Sequence, residues 1–213
     1  MLNIKQTIIF AAVLIMIGTA ILSACSENPF DSSVPNKNES EKSEKVVITF
    51  DYEKQSGHAS NQFAVWIEDM NGQLIKTLCA TKFTVNGGYK SRPDSIAVWV
   101  EKSGLASMTK SEADAIAEAT PKSGSLSYTW DLTGVNGDHV PNGEYKFYVE
   151  GTMRWKNSVL FSGVITIGGG SFAVTAEAEY TYAASDNQAA LTAESSENNM
   201  ISAVTANYTI KED

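Results

Sequence analysis

The sequence predicts a mostly β chain folded as an antiparallel β-sandwich with one short helix. Three observations predict it. Several runs alternate apolar and polar residues with the period of a half-buried strand, as Val46, Ile48, Phe50 and Tyr52 do against Val47, Thr49 and Asp51. Asn71-Gly72 and Asn136-Gly137 put residues that tolerate positive φ between such runs. Ser111–Ala119 is the one convincing helix, with Ser111 and Asp114 as a start like a capping box, abundant alanine, and Pro121 to stop it.

Residues 1–24 have the parts of an export signal: a basic start at Lys5, an apolar stretch from Ile8 to Leu22, and small residues before a cleavage point. A spanning helix needs about 20 apolar residues, so this shorter stretch reads as a removed signal. Leu22-Ser23-Ala24-Cys25 resembles the bacterial lipobox. That resemblance implies a diacylglycerol on the Cys25 thiol, cleavage before it, and acylation of the new amino terminus. An ordinary signal peptide, or a short anchor ending in cysteine, is the alternative. Residues 25–45 are rich in Ser, Glu, Asn and Lys and form a polar tether, reaching roughly 25 Å as a flexible coil. The expected location is extracytoplasmic, on the cell membrane or outer membrane, held by buried acyl chains.

The 213 residues carry a formal net charge of −9, which becomes −10 without the segment that contains Lys5 and no carboxylate. A surface this acidic repels phosphate backbones, which excludes a nucleic-acid partner.

Residues 46–213 make one domain. After the first strand, Gln62–Asp69 and Gln73–Ala80 form a hairpin about Asn71-Gly72, with Phe63, Val65 and Ile67 on one face and Ala64, Trp66 and Glu68 on the other. Thr81–Asp94 is irregular, and Ser95–Glu101 suits either a strand or a helical turn. In the expected helix Ala113, Ile116 and Ala117 form a small apolar face for the edge or end of a sheet. Leu126–Leu132, Glu144–Trp155, Ser158–Ile167, Ser171–Ala183 and Met200–Lys211 read as strands, Gly168-Gly169-Gly170 as a turn, and Ala184–Asn199 as a surface loop. Trp130 to Tyr145 reads as strand, turn and strand in succession. In the strand after it, Tyr145, Phe147 and Val149 face a core, and Lys146, Tyr148 and Glu150 tolerate solvent. About eight strands with frequent turns point to an immunoglobulin-like sandwich.

Three stretches together resemble an uncharacterised family of predicted periplasmic proteins. They are Val65-Trp66-Ile67-Glu68-Asp69 through Gly72 to Thr77-Leu78, the segment Asp114–Thr120, and the hairpin from Trp130-Asp131 to Pro141-x-Gly143-Glu144-Tyr145 with Glu150 beyond it. The resemblance covers roughly Val46–Trp155 and implies an exported β-rich domain, without an activity. The hairpin alone is also similar to those of flagellar hook-capping proteins and other secreted sandwiches. Asp114–Thr120 further resembles the target of extracytoplasmic flavin transferases, in which a threonine receives FMN through a phosphoester. Asp114, Ala119 and Thr120 match, whereas Ala117 and Glu118 stand where that motif has a hydroxyl residue and Gly. Glu118 adds negative charge where a phosphate must arrive. This second resemblance implies Thr120 as a candidate cofactor-binding residue for FMN.

Other chemistry-bearing residues read as structural. His58 and His139 fall in loops and, with Cys79, are too few for a zinc site. Asp131, Asn136, Asp138 and Glu144 lack the spacing of a calcium loop and serve the turn backbone instead. Cys79 follows Leu78 in an apolar strand and reads as a buried thiol. With Cys25 lipidated it has no disulfide partner. Of Trp66, Trp99, Trp130 and Trp155, three lie in apolar alternation, which favours core packing over a sugar- or peptide-binding surface. No nucleophile elbow, phosphate loop, paired metal histidines or Cys-x-x-Cys occurs. The expectation is therefore a non-catalytic binding or assembly module, with no metal and no resident cofactor, partnered by the membrane and an envelope protein. The alternative is a component of extracytoplasmic flavin-linked electron transfer.

Overall fold

The computed structural model describes residues 44–56, 60–154, 157–181 and 200–210. Cys25, His58, Trp155 and the expected 184–199 loop lie outside the described residues. Among those described, no helix is long and apolar enough to cross a membrane.

Among the described residues, ten strands form two sheets. They are β1 (Glu44–Tyr52), β2 (Gln62–Asp69), β3 (Leu74–Thr81), β4 (Ala117–Glu118), β5 (Gly124–Trp130), β6 (Gly143–Arg154), β7 (Asn157–Ile167), β8 (Phe172–Thr175), β9 (Glu177–Thr181) and β10 (Ile201–Ile210). One sheet runs β5-β1-β10-β8 and the other β4-β3-β2-β6-β7-β9, every pairing antiparallel except β3 with β4. The alternation read from sequence is what closes the sandwich. Val46, Ile48 and Phe50 of β1 meet Phe63, Val65 and Ile67 of β2 and Phe147 and Val149 of β6 in one apolar core. Each such side chain contributes ~1.5–3 kcal/mol on leaving water. The first strand starts at Glu44, so two residues expected in the tether belong to the sheet.

Two strand assignments change. Ser171–Ala183 is not one strand: β8 pairs with β10 in the first sheet, and β9 pairs with β7 in the second. The switch occurs at Ala176, whose N–H donates to the Val204 carbonyl at 2.9 Å. Nor is Trp130 to Tyr145 a hairpin of two paired strands, because β5 and β6 lie in different sheets. The Asn-Gly turn sits inside the crossing instead. Thr133 and His139 form an isolated bridge, the Val140 N–H donates to the Leu132 carbonyl at 2.8 Å, and both Leu132 and Val140 are buried. Local turn chemistry dictates that the chain reverses, not which sheet receives it.

A third layer lies on the outer face of the six-stranded sheet. It is built by α1 (Lys82–Val85), α2 (Ala97–Ser103) and α3 (Lys110–Ile116), with 3₁₀ turns at Gly88–Lys90 and Leu105–Ser107. Ala64 and Trp66 of β2 and Ala80 of β3 pack there against Val85, Ile96, Trp99 and Leu105. Every residue from Gln62 to Glu68 is consequently buried.

The helix expected at Ser111–Ala119 is present as α3. Its box is set two residues earlier, by Thr109 and Glu112: Thr109 Oγ1 accepts the Glu112 N–H, and Glu112 Oε2 accepts the Thr109 N–H at 2.7 Å. It stops at Ile116 because Ala117 and Glu118 pair with Ala80 and Thr81 as β4. The ambiguous Ser95–Glu101 run becomes helical from Ala97.

Candidate functional site

The helical layer is fastened by polar side chains that rise from the sheet beneath it. Glu150 on β6 is only 2 % exposed. Its Oε2 accepts the Trp99 N–H at 2.8 Å and its Oε1 the Val98 N–H at 3.2 Å, so it satisfies amides of the first turn of α2. The residue ahead of that helix, Ile96, has no capping side chain of its own. Two residues along β6, Thr152 Oγ1 accepts the Ile96 N–H at 2.7 Å and donates to the Asp94 carbonyl at 3.2 Å. Glu68 on β2, also 2 % exposed, accepts the Trp66 indole N–H at 2.8 Å and lies 3.4 Å from Lys102 Nζ on α2. Trp99 Nε1 donates to Thr77 Oγ1 on β3 at 3.1 Å.

Burial lifts the Glu150 carboxyl to about 7 against the opposing pull of the Trp99 and Val98 amides. Its cross-strand neighbours are Ala64 and Leu160, which supply no compensating charge. Sequence reasoning placed Glu150 and Tyr148 on a solvent-tolerant face; instead Tyr148 stacks on Trp66 with ring centroids 5.0 Å apart. A charged residue in an alternating strand reads as exposed, and no local signal announces the helix that covers it.

Beside this layer lies a groove of about 600 Å³, framed by β3, α3 and the chain that leaves β5. Leu74, Leu78, Met108, Ala115, Ile116 and Val135 give it an apolar lining. Lys76, Asp131 and Glu112 supply the charges. Lys76 Nζ donates to Thr133 Oγ1 at 2.6 Å and lies 3.6 Å from Asp131 Oδ1, which ties the loop to β3. Among the described residues, β3 has a second strand neighbour only at Ala80 and Thr81, and its pairing with β2 is interrupted by register shifts at Leu78 and Ile75. Bulges and a lysine blunt such an edge against indiscriminate strand addition. The groove is therefore suited to side chains more than to a new strand.

The residues singled out in the sequence do not converge. Thr120 is half-buried in the chain just beyond β4, while Asp114 on α3 lines a separate cleft of about 290 Å³ with Tyr89, Lys90 and Lys110. Glu118 between them accepts the Tyr128 O–H at 2.7 Å. Asp131 is held by Thr133 and Lys76, which keep its carboxyl below the usual range. His139 sits in the sheet crossing with Nδ1 2.9 Å from the Val140 carbonyl oxygen. No group of three His, Cys, Asp or Glu among the described residues is arranged to hold a metal ion. Cys79 is a free buried thiol, pushed up by burial. Trp66, Trp99 and Trp130 are fully buried.

Two sheets, a covered outer face and the alternating strands define a β-sandwich with a helical layer on one face. The chain belongs to the family described as "Predicted periplasmic protein (DUF2271)", whose profile matches residues 43–184. Its place is accordingly extracytoplasmic. No curated protein and no solved structure matches the chain.

Proposed function

We propose that this chain is a lipid-anchored binding module of the cell envelope, tethered through Cys25, which takes an apolar segment of an envelope protein into the groove beside β3 without acting on it chemically. The observation that carries this reading is the groove itself, about 600 Å³ of mostly apolar surface assembled from three separate parts of the chain. The lipobox-like Leu22–Cys25 and the polar run after it support the anchor.

Site-specific photo-cross-linking in cells tests the surface. Probes at Ala115 and Val135 should capture the same envelope protein, and a probe at Val164, exposed on β7, should not. Equal capture from all three positions would refute the groove. For the anchor, Cys25→Ser should move the protein from the membrane to the soluble fraction and remove the acyl mass; unchanged mass and fractionation reject it.

A second reading, FMN carried on Thr120, draws on the position of that residue outside any strand or helix, where a transferase could reach its hydroxyl. Mass spectrometry after co-expression with a flavin transferase tests it, and an unmodified Thr120 peptide rules it out.

A further inference from the structure

The lateral edges of the two sheets are defended unequally. Among the described residues, β9 presents Glu177 and Glu179, β8 is four residues long, and β3 has Lys76, two register shifts and a partial cover in β4. β5 has none of these protections. Its seven residues, from Gly124 to Trp130, carry no charge and no proline, and they pair with β1 without a register shift. Among the described residues β1 is its one neighbour in the sheet. In an antiparallel pair every second residue turns its N–H and C=O away from the partner, so β5 offers a regular row of unclaimed main-chain donors and acceptors.

The space beside that edge already has a floor. β3 lies beneath β5, and β4 and α3, which adjoin β3, project past it. Glu118 Oε2 on β4 accepts the Tyr128 O–H at 2.7 Å, which joins the floor to the edge. At the other end of β5, Thr129 and Asp131 line the groove together with Leu74 and Leu78 of β3. Edge and groove are therefore two parts of one surface, the first offering main-chain groups and the second apolar space.

Building on the groove as the binding surface, we infer that its occupant is an extended segment of an envelope protein that adds to β5 as a fifth strand of the four-stranded sheet. Its alternate apolar side chains turn into the groove, with a lysine or arginine among them. Main-chain pairing with β5 supplies affinity, and the groove selects the side chains. The required charge follows from the lining. Asp131 is met by Lys76 at 3.6 Å, whereas Glu112 and Glu118 accept hydrogen bonds from Thr109 and Tyr128 and have no cation in contact among the described residues. Lys45 on β1, Lys110 on α3 and Lys122 before β5 do not line the groove. A second folded copy of this chain fits less well: it brings its own six-stranded sheet beneath its β5, into space that β4 and α3 already fill. A single extended segment needs only the edge and the floor.

Photo-cross-linking in cells, with probes at Ser125 and Ser127 of the full chain, tests strand addition. Both residues are exposed, and they alternate with the inward-packed Leu126 and Tyr128, so they lie on the face turned away from the core. The side chains of an added strand would sit ~5 Å from them, whereas a helix seated in the groove would not reach them. Both probes should capture the protein captured at Ala115, and mass spectrometry of the cross-linked peptides should place the two attachment points two residues apart in one segment containing lysine or arginine. A probe at Ser202, exposed on β10 two strands away, should capture nothing. Capture at Ala115 and Val135 with silence at Ser125 and Ser127 overturns strand addition and leaves the groove reading standing. Attachment points spaced as on a helix, a segment without a basic residue, or capture of a second copy of this chain also overturn the inference. Silence at Ala115 and Val135 rejects the groove reading itself, and the inference with it.

Discussion

Trp130, the last residue of β5 in one sheet, and Tyr145, near the start of β6 in the other, meet edge to face with ring centroids 5.3 Å apart and planes at 68°. They lock the two ends of the sheet crossing. Trp130 Nε1 donates to the Thr133 carbonyl at 2.9 Å, and the Tyr145 O–H donates to the Pro141 carbonyl at 2.7 Å. Trp130→Ala should cost about 3–5 kcal/mol, and Tyr145→Phe about 1 kcal/mol for the lost hydrogen bond. Urea unfolding checks both, with midpoints lowered and slopes unchanged.

Lys102 is the one cation that reaches the buried Glu68 carboxylate, at 3.4 Å, among the described residues. Lys102→Met should destabilise by about 2 kcal/mol, because the remaining charge is buried and short of a partner. The double variant with Glu68→Gln should recover most of that loss, since the neutral amide no longer needs the ammonium. A double-mutant cycle in urea measures the coupling. Simple additivity would show the pair to be energetically silent.

Overall stability should have an acid-side maximum. Burial of Glu150 makes the folded chain hold a proton up to about pH 7, so stability should rise by about 2–3 kcal/mol as pH falls from 8 to 5. Asp69, lowered chiefly by the Gln73 amide, Glu112, lowered by the Thr109 amide, and Asp131, lowered by Thr133, act in the opposite sense. Their contribution is present above the ordinary carboxylate range and is lost as pH falls below it, so the maximum should lie at about pH 4–5. Urea midpoints across pH 3 to 8 trace both limbs, and Glu150→Gln should flatten the neutral one alone.

Gly163 on β7 lies against the Phe147 ring. A Cβ there would come within 2.5 Å of Cε1 of the buried Phe147 and 3.1 Å of Cγ1 of the half-buried Val174. Gly163→Ala should cost about 1–3 kcal/mol through overpacking. Gly169→Ala, where a Cβ meets nothing within 4 Å, is the matched control and should be near neutral. Thermal unfolding of the pair separates crowding from the general effect of adding a methyl group.

The sandwich core, the Gln62–Ala80 hairpin and the family were legible in the chain because they rest on period-two alternation and turn residues, which are local properties. Asn71-Gly72 and the two faces of β2 came out as read. The crossing at Trp130 to Tyr145 and the break of Ser171–Ala183 into strands of opposite sheets did not, since alternation specifies which side chains turn inward but not which sheet receives the strand. The groove needed three distant pieces of chain to meet.

By itself the sequence determined the acidic balance of charge, the family, and strands whose buried faces demand a second layer. Only the tertiary structure decided that Glu150 and Glu68 would be buried. Each occupies a position where an alternating strand ordinarily shows its polar side to water, and each is covered by α2, a helix that one of them helps to start. A carboxylate's fate depends on what lands on top of it, and that contact joins residues some fifty positions apart in the chain.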